Sequence, residues 1–342
     1  MKRNRLPLML MIVLTGVMLV TGCSPLPSAS DPAGQTAESG SGYPAKQIEY
    51  VVPFAPGGGT DLVARAVAEY LSEEWGQPVV VVNKPGGGGA VAAQYVLKQS
   101  ARDGYTVMAN NVSSTTMMAA GMADPPVKLS DHLFVSRIVE DPIAFTVKAD
   151  APWKDFKEFS DWVKKHPEQL TWTSVGPAGT SAFGVAEWLK AIGVDFSKTR
   201  MITTKGASDS MPKVAGGHAV LAVHSVAEVY SMAKAGKVKI LAVQAEKRSP
   251  YFPDVPTAEE QGIKGMSVKW WTGVSMPAGT PAHVVKKWDE TIAKMVKDPA
   301  FLKKLNNIHV QSSYLNSADF TRFVKEETRS YTRLATETGI RK

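Results

Sequence analysis

Residues 48–71 read IEYVVPFAPGGGTDLVARAVAEYL, and the reading of this stretch decides the fold. Ile48 to Phe54 predicts a buried strand, and three glycines follow it. From Thr60 to Trp75 the residues Leu62, Val63, Ala66, Val67, Tyr70 and Leu71 recur at the spacing of one helix face. The theme then repeats. Val79–Val82 predicts a second strand, Asn83–Gly89 a second glycine turn, Ala90–Gln99 a helix and Tyr105–Ala109 a third strand. That βαβαβ order predicts a parallel sheet covered by helices.

The first glycine turn is not a nucleotide P-loop, which needs Lys and a hydroxyl residue directly after its last glycine. Here Gly59 is followed by Thr60-Asp61-Leu62. Gly87-x-Gly89-x-x-Ala92 matches a looser dinucleotide pattern, but Asn110 and Asn111 stand where an acid is expected near the end of the next strand. Two readings remain for Gly57–Asp61: a tight turn with a helix cap, or a cup for an anion such as a carboxylate. Glycine admits a ligand close to the backbone, and a helix N-terminus offers unpaired N–H groups with partial positive charge. Thr60 either caps the helix or donates its hydroxyl to the guest. Asp61 would repel an anion if turned inward, so it is expected to tie down loop N–H groups.

The middle of the chain repeats the alternation, with strands at Ile143–Val147, Leu170–Ser174, Arg200–Thr204, Ala219–Val223 and Val238–Gln244. Helices at Trp153–His166, Thr180–Ile192, Ser208–Ala215 and Ala227–Ala235 separate them. Past the turn-rich SPYFPDVPT at 249–257 come a strand, Ser267–Met276, and helices at Pro281–Val296, Pro299–Asn306 and Ser317–Gly339, with no βαβ unit of their own. The last segment is therefore expected to pack back on the first. The expected domains are residues 43–141 plus 251–342, and residues 142–250: two α/β lobes with two hinge crossings and a ligand cleft between them. Ligands of open α/β sheets sit beyond the carboxyl ends of the strands. The candidate cleft residues are Phe54, Pro56, Gly57, Gly58, Gly59, Thr60 and Asp61 after the first strand, and Asn110 and Ser113 after the third. In the second lobe they are Pro177, Ala178, Gly179, Thr180 and Ser181 in a matching glycine turn, then Lys205, Gly206 and His224. Lys205 and His224 either face the ligand or end their strands in solvent. The pair Trp270-Trp271 is expected to pack, one ring on each face of its strand.

The chain begins with Lys2, Arg3 and Arg5, an apolar run from Leu6 to Val20, and Thr21-Gly22 before Cys23. That is the pattern of a secretory leader over residues 1–22, too short to be a membrane-spanning helix. Leu19 to Cys23 resembles a bacterial lipoprotein processing site, so Cys23 is expected to be lipidated and the protein to be extracytoplasmic, anchored to the cell membrane. Cys23 is also the sole cysteine, so neither an internal disulfide nor a cysteine metal cluster is possible. Residues 23–42, mostly small, polar or Pro, are expected to form a flexible tether reaching roughly 25 Å.

Removing the three cationic residues of the leader from the formal net charge of +7 leaves +4. There is no Lys/Arg block interleaved with aromatics, so no nucleic-acid partner is expected. The six histidines, His132, His166, His218, His224, His283 and His309, show no metal-ligand spacing. Gly179-Thr-Ser181-Ala-Phe-Gly184 is one residue too long for a nucleophile elbow. Neither a metal, a cofactor nor an enzymatic activity is expected.

Together, Tyr43-Pro44, PGGGTD (56–61), GQPVVVVNKPGGGG (76–89), DGYTVM (103–108), SVGPAGTSAFG (174–184), KRSPYFPDVPTAEEQG (247–262) and MPAGTP (276–281) resemble the solute receptors of the tripartite tricarboxylate transporter family, the Bug or TctC-type proteins. The resemblance covers Tyr43 to Lys342. It implies an α/β, two-domain periplasmic-binding-protein (type II) fold, a monomer, a small carboxylate ligand, and partners in the large and small membrane subunits of a transporter. It further implies that the loop matching Pro56–Asp61 holds the ligand carboxylate through backbone and water, with the loop matching Pro177–Ser181 contacting it from the other domain. The sequence departs from the family where Thr204 replaces a Tyr, and where Gly216-Gly217-His218-Ala219-Val220 and then His224 stand in place of a Gly-Gly-x-x-Asp pattern and a following Asp. Those changes raise the expectation that the far end of the ligand is also anionic and meets His224 or Lys205. A sensor lipoprotein with the same ligand, or an extracellular carboxylate-processing enzyme, are the alternatives.

Overall fold

The structure, a computed structural model, describes residues 42–341. The expected leader, Cys23 and nearly all of the expected tether lie outside the described residues. In chain order the strands are β1 (Ile48–Val52), β2 (Val79–Asn83), β3 (Thr106–Asn111), β4 (His132–Lys148), β5 (Thr171–Ser174), β6 (Arg200–Thr203), β7 (Leu221–Ser225), β8 (Val238–Gln244), β9 (Lys269–Pro277) and β10 (Ser312–Leu315). The helices are α1 (Gly59–Trp75), α2 (Ala90–Gln94), α3 (Met118–Gly121), α4 (Phe156–Lys165), α5 (Thr180–Ala191), α6 (Ala207–Ala215), α7 (Val226–Lys234), α8 (Ala282–Met295), α9 (Pro299–Asn307) and α10 (Ser317–Thr338).

β2, β1 and β3 pair in parallel, as the βαβαβ order requires. β9 comes from far along the chain and lies antiparallel between β3 and β4, which brings the C-terminal segment back to the first sheet. Gly86–Gly89 is a structural turn: a Cβ on Gly89, at φ +102°, would lie 2.5 Å from the Ser114 Cβ.

β4 joins the two sheets. Its residues His132–Pro142 pair with β9 and β10. From Ile143 onward the same strand pairs with β7 on one side and β8 on the other. β5 and β6 continue that second sheet in parallel with β7. The strand expected only over 143–147 is thus 17 residues long. Its first half is buried on both faces, which erases the alternation that marks a half-exposed strand. Arg137 and Glu140, which look like surface residues in the sequence, pair with each other there.

Each sheet carries an aromatic core. In the first, Tyr50 and Trp75 pack on Trp288. In the second, Trp188 packs on Phe145, Phe156 and Phe159. α10 touches both lobes: its Phe320 packs on Trp271 of β9 and its Tyr331 on Phe183 of α5, each with ring centroids 5.3 Å apart.

Both crossings between the lobes are held by buried carboxylates. Asp141, beside Pro142, accepts from the Ala227 N–H at 3.1 Å. At the second crossing Glu187 of α5 accepts from Gln244 Nε2, Ser267 N and Oγ, and Val268 N at 2.7–2.9 Å. Truncating Glu187 strands several buried donors at once. Glu187→Ala is expected to lower the unfolding free energy by about 3 kcal/mol, read as the shift in urea midpoint at unchanged slope.

Candidate functional site

The turns that follow the parallel strands meet at one cavity. The first lobe contributes Phe54, Ala55, Gly58 and Thr60 from the β1–α1 turn, Asn111 and Ser113 after β3, and Trp270 of β9. The second contributes Ser174 and Val175 after β5, Thr180 and Ser181 of α5, Gly206 and Ala207 at α6, His224 of β7 and Glu228 of α7. About 40 Å³ is open to the centres of water molecules, enough for more than one water, and the empty space with its mouth is about 450 Å³. A roomier groove, lined by Glu140, Gln244, Lys264, Lys269, Glu327 and Tyr331 among others, borders the crossings instead.

Helix caps explain how the cavity is built. α4, α9 and α10, which start elsewhere, are capped by the side chains of Asp155, Asp298 and Asn316; α8, behind Pro281, has no such cap. At the cavity α1, α5 and α6 begin at Gly58, Gly179 and Gly206, and none has a side-chain cap of its own. Their first-turn N–H groups are left for another acceptor. Two of these termini are capped from the opposite lobe. Gly59 N donates to Glu228 Oε1 at 3.0 Å, and Thr180 N donates to Ser113 Oγ at 2.9 Å. The Ser113 and Thr180 hydroxyls share a further bond of 2.8 Å, and Ala55 N donates to Lys205 O at 3.3 Å. These bonds hold the cleft closed.

Glu228 is positioned by its own turn. Ser225 and Glu228 form a capping box at the start of α7, with Glu228 Oε2 accepting from Ser225 N at 3.2 Å. His224 Nδ1 lies 3.5 Å from the same oxygen, while His224 Nε2 is buried without a partner. Burial pushes the Glu228 carboxyl up, but the His224 ring and the Gly59 and Ser225 N–H groups outweigh it and hold it below the usual range. Asn111 joins the two loops of the first lobe: its Nδ2 donates to Thr60 Oγ1 at 3.1 Å and its Oδ1 accepts from Ser113 N at 2.8 Å. Ser181 Oγ donates to Val223 O.

Of the residues expected from sequence, Phe54, Gly58, Thr60, Ser113, Thr180, Ser181, Gly206 and His224 line the cavity. Others do not. Pro56, Gly57 and Pro177 are exposed; Gly59, Ala178, Gly179 and Asn110 are buried in the turns or the strand behind the wall. Asp61 accepts from Gly57 N, Arg65 Nε, Arg65 Nη2 and Asn83 Nδ2 at 2.9–3.0 Å, and so shapes the loop from behind. Burial raises its carboxyl, but Arg65, Gly57 and Asn83 together bring it below the usual range. Lys205 corrects an expectation: its side chain is exposed, and only its backbone reaches across, because Asp209 accepts its N–H at 3.1 Å and Ala55 donates to its carbonyl. The expected cationic far end is thus replaced by the pair His224–Glu228. Trp271 packs as expected, whereas Trp270, 3% exposed, forms a wall of the cavity. The sequence reading missed Glu228, although the S-x-x-E signature of a capping box directly after the strand marks its place.

The family model described as the tripartite tricarboxylate transporter family receptor, TctC, matches residues 63–340. The chain belongs to this family. It is 32% identical over 305 residues to a UPF0065 protein from the gbd 5' region of Cupriavidus necator, covering 88% of this chain and 90% of that one. Among solved structures, R. palustris Rpa4515 with adipate superposes with a TM-score of 0.81 at 26% identity, covering 87% of this chain and 98% of that one. MatC from Rhodopseudomonas palustris with bound malate gives 0.79 at 25%, covering 86% and 100%. The fold is therefore the two-domain periplasmic-binding-protein fold of type II.

Titration separates the buried acids. Asp61 has a lowered folded pKa, so its contribution to stability is present at neutral pH and is lost as pH falls through the folded value. Asp141 is opposite: burial pushes it up to about 7, so its cost is absent below about pH 4 and grows toward pH 7. The Tm deficit of Asp61→Asn relative to the parent is expected to be largest at pH 7 and to shrink below pH 4. That of Asp141→Asn is expected to become more favourable as pH rises from 4 to 7. Thermal unfolding of both variants across this range checks the signs.

Proposed function

We propose that this chain is an extracytoplasmic solute receptor that closes two lobes, residues 43–141 with 251–342 and residues 142–250, around a small carboxylate. It passes that ligand, as a monomer, to the large and small membrane subunits of a tripartite tricarboxylate-type transporter. The observation that carries the reading is the convergence of three glycine-capped helix N-termini, without side-chain caps of their own, on one cavity between the lobes. Membership of a transporter receptor family supports the role, and the adipate and malate bound by Rpa4515 and MatC support the ligand class. The sequence from Leu19 to Cys23 supports lipidation at Cys23, with residues 24–42 as a tether. Among the described residues no helix is long and apolar enough to cross a membrane.

Chemistry in the cavity favours binding over catalysis. The Ser113 and Thr180 hydroxyls bond to each other and that of Ser181 to Val223 O, so none meets His224 Nε2 as a nucleophile meets its base. Thermal unfolding of the purified protein against a panel of carboxylates, sugars and amines tests the reading. A carboxylate at about one hundred times its Kd should add roughly 2.7 kcal/mol. A shift with sugars and with none of the carboxylates would overturn it.

A further inference from the structure

We propose that Glu228 selects an aminocarboxylate, whose ammonium group meets the Glu228 carboxylate, over a dicarboxylate. This inference rests on the carboxylate reading above and adds the chemistry of the ligand's other end.

The charges of the wall point this way. His224 and Glu228 are the ionisable side chains lining the cavity, and neither Lys nor Arg is among them. A dicarboxylate would bring its second anion beside a carboxylate that is 9% exposed, with no Lys or Arg to meet it. Glu228 also has capacity to spare. A carboxylate offers about four acceptor sites, and Gly59 N, Ser225 N and His224 Nδ1 address three of them. In the tautomer that directs Nδ1–H at Glu228, Nε2 is an acceptor, and that atom is buried without a partner. An ammonium group carries three donors, enough for both.

The carbon wall agrees. A Cβ on Gly59 would lie 3.0 Å from Glu228 Cγ and 3.1 Å from Trp270 Cζ2, so carboxylate and indole sit against the same point. Gly206 and Ala207 open α6 on the same cavity, and no side chain caps that helix. Unlike the α1 and α5 termini, it receives no side-chain cap from across the cleft either, which leaves it to the ligand's carboxylate.

Calorimetric titration of the purified full-length protein at pH 7.5 tests this with two series: glycine, alanine, 4-aminobutanoate and 5-aminopentanoate, against malonate, succinate, glutarate and adipate. The best aminocarboxylate is expected to bind at least about tenfold more tightly than the best dicarboxylate. Glu228→Gln, which keeps the shape and removes the charge, is expected to narrow or invert that ratio. A dicarboxylate binding the parent as tightly as any aminocarboxylate overturns the inference and leaves the carboxylate reading standing, as does a ratio unchanged in Glu228→Gln. Binding of neither series overturns both. The comparison on the parent protein holds whether or not the variant folds.

Discussion

Three helices of this protein start at glycines and leave their first N–H groups without a side chain of their own to accept them. That deficit organises the molecule. An uncapped N-terminus buried in a protein needs an acceptor from somewhere, and here Glu228 and Ser113 supply it from the facing lobe. Each lobe therefore completes the other's helix. Closing the cleft satisfies groups that an open cleft leaves to water, and of the three termini only that of α6 keeps its first N–H groups without a side-chain acceptor.

The acids around the cleft are sorted by their partners. Asp61 and Glu228 are held ionised by guanidinium, imidazole or backbone donors. Asp141 at the first crossing is dominated by burial and rises to about 7. Glu327, half-buried and accepting from Trp271 Nε1 at 2.8 Å, does the same. Ionised acids thus stand at the mouths of helices, where their charge is answered, and those nearest neutrality stand at or beside the crossings between lobes.

Much of this was legible in the sequence because the βα turns have their own signature. Glycine for the close approach, a hydroxyl residue directly after it, and an apolar strand before it placed Gly58, Thr60, Thr180 and Ser181 at the cavity. What could not be read was direction. Lys205 stands at a strand end as expected, yet it is the loop's own hydrogen bonding to Asp209 that leaves its side chain in solvent. Glu228 bonds to a residue 169 positions away, a pairing no local pattern encodes. The first half of β4 was invisible for a related reason: burial on both faces removes periodicity, and its Arg137 found a partner inside the protein.

The single strand shared by both sheets has a mechanical consequence. At Pro142 the ladder to β9 ends at Lys269, and at Ile143 the ladders to β7 and β8 begin. Proline brings no N–H to either, so the strand is least restrained at the point where it changes sheets. Registry on both sides forbids the lobes to slide along it. With the second crossing tied at Glu187 and α10 packed on both lobes, what is left to the cleft is a twist centred on Pro142 rather than a slide.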